Sequence, residues 1–203
     1  MEKANVRKTL MSALVAGLVV LMAPAAHADT LVLTDPAGDV MTATMNDNFD
    51  VVKYNREGGA EGDIVSARIQ HTATQVVMFL RYRQLTVPRR YAMYQYVLEG
   101  NNHQMALISL DTRKGKPQGN AFAWGSGARR CAMSHHINYG ADWVSVRVAR
   151  GCLKKAKYVR LTQISYQLHF NETLTKILYD NPARDGGTMN QVYDAHTPWV
   201  VTG

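Results

Sequence analysis

Asp63-Ile64-Val65-Ser66-Ala67-Arg68-Ile69-Gln70-His71-Thr72, then a short polar link, then Val76-Val77-Met78-Phe79-Leu80-Arg81-Tyr82-Arg83: this pair of runs decides the fold. In the first, Val65, Ala67 and Ile69 fall on one parity and Ser66, Arg68 and Gln70 on the other. In the second, Val76, Met78, Leu80 and Tyr82 share a side opposite Arg81 and Arg83. A period of two is the signature of a half-buried strand. The link Thr72-Ala73-Thr74-Gln75 is short enough to join the two as an antiparallel hairpin.

The same pattern extends in both directions. Tyr91–Glu99 and His103–Leu110 flank Gly100-Asn101-Asn102, which reads as the turn of a second hairpin. Val144, Val146 and Val148 alternate with Ser145 and Arg147. Val159 and Leu161 share one parity, whereas Ile164, Tyr166, Leu168 and Phe170 take the other. That switch near Gln163 predicts a β-bulge, where one extra residue flips the register. Apolar spacing of three and four is sustained nowhere, so a helical turn around Cys152–Ala156 is all the helix expected. Short strands separated by turns at fairly even intervals predict an all-β fold, an antiparallel, jelly-roll-like β-sandwich with one disulfide.

The first 28 residues read differently. Lys3, Arg7 and Lys8 precede an apolar run from Leu10 to Met22, and Pro24 precedes Ala26-His27-Ala28. Basic end, apolar middle and small-x-small triplet are the parts of a cleavable signal peptide. The apolar run is about 13 residues, shorter than the roughly 20 needed to span a bilayer. Residues 29–203 are then expected as one secreted, extracellular domain without a membrane span. Composition agrees with a packed core: 46% hydrophobic and 19% charged residues are ordinary for globular chains. The whole chain carries +7, and loss of Lys3, Arg7, Lys8 and Glu2 would leave about +5. The basic residues are scattered rather than concentrated with aromatics, which argues against nucleic acid and leaves weak attraction to anionic cell-envelope polymers.

Two cysteines, Cys131 and Cys152, follow the signal. In an exported chain they are expected to pair, since oxidising compartments preserve disulfides. Histidines offer no metal spacing: His135 and His136 are adjacent, and on a strand they point to opposite faces. Gly125-Ser126-Gly127 lacks the G-x-S-x-G frame of a hydrolase elbow. The local candidate for metal is Asp35-Pro36-Ala37-Gly38-Asp39, where a tight turn brings two carboxylates together, as calcium requires. Asp63 opens the next strand as a third carboxylate, and Asp47 and Asp50 are further donors. Against this stands a plain turn, because Asp, Pro and Gly form turns without any ion.

The Asp35-Pro36-Ala37-Gly38-Asp39 opening, followed by Gly62-Asp63-Ile64-Val65 leading into alternating strands, resembles exported actinobacterial proteins of unknown function. The Val144–Cys152 stretch and the closing Trp199-Val200-Val201-Thr202-Gly203 fit that comparison. More distantly the chain is similar to the β-sandwiches of the DOMON and family 9 carbohydrate-binding-module group. That resemblance implies sugar, haem or structural calcium as ligands, with Asp35, Asp39 and Asp63 at the acidic positions.

Among the aromatics Tyr91, Tyr94, Tyr96, Trp124, Tyr139 and Trp143, the last falls on the parity opposite Val144, Val146 and Val148. If the valines face the core, Trp143 faces outward as a candidate ligand-binding residue. The expected function is therefore a secreted non-catalytic binding module for extracellular or cell-envelope carbohydrate. A protein-interaction domain is the alternative, and a hydrolase without a recognisable motif the third reading. Export makes a direct prediction: protein recovered from culture supernatant should give Asp29 as its N-terminus by mass spectrometry. An intact Met1 in a membrane fraction would refute the signal peptide.

Overall fold

The computed structural model describes residues 29–45, 51–56, 59–125, 129–169, 175–180, 182 and 196–203. The expected signal peptide, Asp47, Asp50, Ser126 and Gly127 lie outside them. Fourteen strands are found among the described residues. They are β1 (Asp29–Thr34), β2 (Met41–Met45), β3 (Val51–Arg56), β4 (Ile64–His71), β5 (Gln75–Tyr82), β6 (Tyr91–Gly100) and β7 (Met105–Arg113). The rest are β8 (Lys116–Gly125), β9 (Arg129–Cys131), β10 (Met133–Asn138), β11 (Trp143–Ala149), β12 (Tyr158–His169), β13 (Thr175–Tyr179) and β14 (Val200–Val201). A smaller sheet runs β1-β4-β5-β11-β10, and a larger one runs β3-β2-β13-β12-β6-β7-β8-β9, with β14 added on β12. All pairings between strands are antiparallel. No helix among the described residues is long and apolar enough to cross a membrane.

The two sheets face each other across the main core, and Met41, Ala43, Ile177 and Tyr179 of β2 and β13 form a second, smaller buried cluster. Ala67, Ile69, Met78, Leu80, Val144 and Val146 of the smaller sheet pack with Tyr94, Tyr96, Leu98, Ile108 and Leu110 of the larger. This is the alternation visible in the sequence: every second residue is apolar because every second residue meets the opposing sheet. Between the layers the Tyr82 and Tyr96 hydroxyls lie 3.2 Å apart, and the Tyr82 ring meets Tyr94 edge-on at 6.4 Å. Burial pushes the Tyr82 phenol far up. Polar tips inside a core need partners, and these rings supply one for each other.

Both expected hairpins form. The 72–75 link is held by Thr72, whose hydroxyl donates to Gln75 O and accepts from Gln75 N. The 100–104 turn closes through Gly100 N to Gln104 O at 2.8 Å. The bulge also forms: β12 shifts register against β6 between Leu161 and Gln163. Two details differ from the sequence reading. A second shift lies between Ile64 and Ser66, so the buried face of β4 is Ile64, Ala67, Ile69 and His71, while Val65 is only half-buried. The helical turn is a 3-10 turn at Arg150–Leu153, earlier than Cys152–Ala156, stopped by Lys154 and Lys155 in left-handed conformation.

Cys131 and Cys152 are disulfide-bonded, with Cα atoms 5.4 Å apart. The bond fastens β9 of the larger sheet to the turn that follows β11 of the smaller one. Gly125 makes room for it, because a Cβ there would stand 2.7 Å from Cys152 O and 3.3 Å from Cys131 Sγ. Closing a loop of about 22 residues stabilises the fold by roughly 3 kcal/mol. Alkylation without reductant should therefore label no thiol, and reduction should lower the melting temperature by about 6–12 °C.

His71 shares the inward parity of Ala67 and Ile69, but its polar residue type gave no sign that it belongs to the core. It is fully buried, its Nδ1 lies 3.2 Å from Val200 O, and Thr202 Oγ1 lies 3.2 Å from the ring. Gly203 N donates to His71 O, so this residue ties the C-terminal segment to β4. Burial lowers its pKa, and the nearby Arg150 adds to that; Val200 O and Asp29 act in the opposite direction. An unfolded chain then takes up the proton first as pH falls, so the contribution of His71 is present above about pH 6.5 and lost below it. The stability difference between wild type and His71→Gln, read from urea titrations, should shrink by up to about 1.4 kcal/mol per pH unit on acidification. A difference that stays constant from pH 7.5 to 5 would contradict a buried neutral imidazole.

Candidate functional site

Four buried aspartates meet where β1 passes to β2, where β4 begins and where β13 ends: Asp35, Asp39, Asp63 and Asp180. The Asp35–Asp39 turn is pinned to the start of β4 by two bonds. Asp35 N donates to Val65 O at 3.1 Å, and Gly38 N donates to Asp63 Oδ2 at 2.8 Å. Gly38 has φ +93°, a left-handed conformation that favours glycine, so the turn delivers its N–H to Asp63 without strain. Asp180 comes from the far side of the fold, accepting the Ile64 N–H through Oδ2.

One oxygen each from Asp35, Asp39 and Asp180 lies within 4.8 Å of the others. Asp63 stands beside this trio instead of within it. Its Oδ2 is engaged by Gly38 and by the Arg83 guanidinium at 3.6 Å, and Arg83 N donates to Asp63 O at 2.7 Å. No N–H reaches either oxygen of Asp35, whose polar neighbour is the Asp180 carboxyl, and none reaches Asp63 Oδ1. Asp35 is only 8% exposed.

The electrostatic consequence follows. Burial, then the charges of Asp180, Asp39 and Asp63, pushes the Asp35 carboxyl far above the usual carboxylate range. Burial does the same to Asp180, offset by the Ile64 N–H and reinforced by Asp39 and Asp63. Asp63 is raised by burial, but Gly38 and Arg83 hold it back. Desolvating an ion costs several kcal/mol unless an opposite charge is supplied. The cluster must therefore hold protons, with Asp35 and Asp180 close enough to share one, or a cation. Of the residues read from the sequence, Asp35, Asp39 and Asp63 converge as expected on one region. Asp180 was missed, because nothing local marks it: Ile64, its partner, is 116 positions away.

The aromatic residues distribute over three surroundings. Tyr94 and Tyr96 are fully buried in the core. Trp143 does lie on the outer face of β11, half-buried between Phe79 and His136, with ring centroids 5.1 and 5.0 Å away. Its aromatic surface is largely spent on those neighbours. The outer face of the larger sheet holds more accessible rings: Trp124 is 42% exposed and Trp199 40%. Trp124 lies opposite exposed Leu107 on β7 and Arg130 on β9, with Phe122 edge-on at 6.3 Å.

Trp199 carries the Arg160 guanidinium 4.5 Å above its ring, and two nitrogens of Arg160 contact Glu99 Oε2 at 2.7 and 2.8 Å. Arg160, Glu99 and Met105 are consecutive cross-strand partners and so share a face. Trp199, Tyr158, Arg160, Glu99, Asn101 and His103 line a cleft of about 390 Å³. A second, of about 530 Å³, is lined by Arg130, Lys154, Lys155 and the disulfide. No family model matches this chain, and it matches no curated protein and no solved structure.

Proposed function

We propose that this chain is an exported, non-catalytic binding module that holds an extracellular or cell-envelope carbohydrate on the outer face of its larger sheet. The observation that carries this reading is Trp199 under the Arg160–Glu99 pair, at the rim of a shallow cleft. A sugar ring is amphipathic: its C–H face packs on an aromatic plane while its hydroxyls seek directional partners. Trp199 and Tyr158 offer the planes, and Arg160, Glu99 and Asn101 are the polar groups around them. Cross-strand pairing holds Arg160 against Glu99 and Tyr158 against Val201, and Asn101 accepts the Lys157 and Tyr158 N–H groups, so these groups have little freedom left to lose on binding.

Trp124 extends the aromatic surface on the same sheet, and Arg130 beside it leads to Lys154 and Lys155. These cations, with the basic balance of the chain, favour a polymer bearing negative groups. The exposed Met105, Leu107 and Trp124 are the observation behind the second reading, a face that docks a protein.

A glycan array extended with anionic wall polymers tests the proposal directly. Trp199→Ala should weaken binding of the retained glycan at least tenfold, about 1.4 kcal/mol, and Trp124→Ala should weaken binding to the longer chains. Trp143→Ala should leave affinity within twofold. Retention of nothing on the array, or equal loss in all three variants, would count against the carbohydrate reading.

A further inference from the structure

We infer that Asp35, Asp39 and Asp180 bind one calcium ion, with Asp63 ordering the turn that presents the first two. The cluster of acids alone would not carry this; the second observation is oxygen that no N–H reaches, in a closed place. Asp35 is more than nine-tenths buried and no N–H reaches either of its carboxylate oxygens; the polar group beside them is the Asp180 carboxyl, itself one of the three proposed ligands. Asp63 is fully buried, and no N–H reaches its Oδ1. Buried polar atoms are almost always satisfied, so several orphans at one point indicate a ligand that accepts oxygen lone pairs.

The surrounding bonds are arranged as a second layer. Asp63 spends Oδ2 on Gly38 N, which sets the Asp35–Asp39 turn, and Asp180 spends Oδ2 on Ile64 N. Each bond fixes a carboxylate or its loop without any need for a proton on the acid. Outer-shell contacts of this kind orient first-layer ligands at metal sites. The geometry also accommodates an ion: oxygens on opposite sides of calcium lie roughly 4.6–5.2 Å apart, given bonds of about 2.3–2.6 Å. The three oxygens here span no more than 4.8 Å.

Ligand chemistry selects the metal. Oxygen-only donors suit hard cations, whereas zinc favours nitrogen and sulfur. Magnesium keeps several waters and dehydrates reluctantly, which disfavours a closed, carboxylate-walled place. Calcium accepts irregular oxygen shells, and backbone carbonyls or waters would complete its coordination.

The test uses the purified chain, stripped with chelator and melted with calcium, with magnesium or with neither. Calcium at a hundredfold excess over its Kd should raise the melting temperature by about 5–10 °C. Titration calorimetry should find one calcium ion per chain, with magnesium giving a smaller shift. Asp35→Asn and Asp180→Asn should each abolish the calcium shift, while the stripped variants should stay folded and melt close to the stripped wild type. Asp39→Asn gives a third reading should either of those fail to fold. The inference is overturned if stripped wild type shows no calcium heat and no melting shift in millimolar calcium. It is equally overturned if the shift survives in the Asn variants.

Discussion

A sandwich of two sheets tolerates a charged residue on an inner face only where something answers the charge. In this chain the inner faces are apolar along most of their length, but at the Ile64 end of β4 four carboxylates stand in the way of water. Arg83 answers one of them, and its side chain is itself 47% exposed. The neighbouring structure is organised around the remainder. The Gly38 turn folds back on Asp63, β4 slips by one residue just after Ile64, and β13 ends with Asp180 aimed at the Ile64 amide. Three stretches far apart in sequence are joined here by backbone N–H groups that donate to Asp63, Asp180 and Val65 O.

Elsewhere the layers are fastened by other means. The disulfide joins β9 to the turn after β11, and Arg150 braces that turn by donating to Ala156 O and Lys155 O. The C-terminal strand β14 pairs with β12 of the larger sheet while His71 of the smaller sheet receives Val200 and Thr202. The disulfide and the His71 contacts span the two sheets, and those of His71 join residues 129 and 131 positions apart, where closing a long loop constrains the unfolded chain most.

Much of this architecture was legible beforehand, and the physical reason is burial with period two. Val76, Met78, Leu80 and Tyr82, and Val144, Val146 and Val148, face the core as their alternation requires. The bulge near Gln163 was visible because the apolar parity itself changes there. The bulge at Val65 was hidden, since Ile64 and Val65 are both apolar and either could lead inward. His71 was hidden for a related reason: a polar residue at the end of a strand reads as the start of a turn. Asp35, Asp39 and Asp63 were readable from turn chemistry, whereas Asp180 depends on the pairing of β13 with β2 and β12. Trp143 was placed on the correct face by parity. Parity says nothing about which side chains cross the strands to cover it, and Phe79 and His136 do so.

The acidic cluster and the aromatic face lie at opposite ends of the strands, and this decides how they relate. β4 runs from Ile64 beside Asp180 to His71 beside Val200, roughly 23 Å at 3.3 Å per residue. Trp199 precedes Val200, and its cleft lies at that far end. Over such a distance a screened ionic field has largely decayed, the Debye length being about 8 Å at physiological salt. An ion among the aspartates, as proposed above, would therefore not tune the charges around a ligand at Trp199. Such an ion would instead fasten the ends of β1 and β4 in the smaller sheet to the end of β13 in the larger, and β4 carries the His71 contacts that position the C-terminal segment. Any coupling between the two ends would then be mechanical, passing through the integrity of β4 and its His71 contacts rather than through charge.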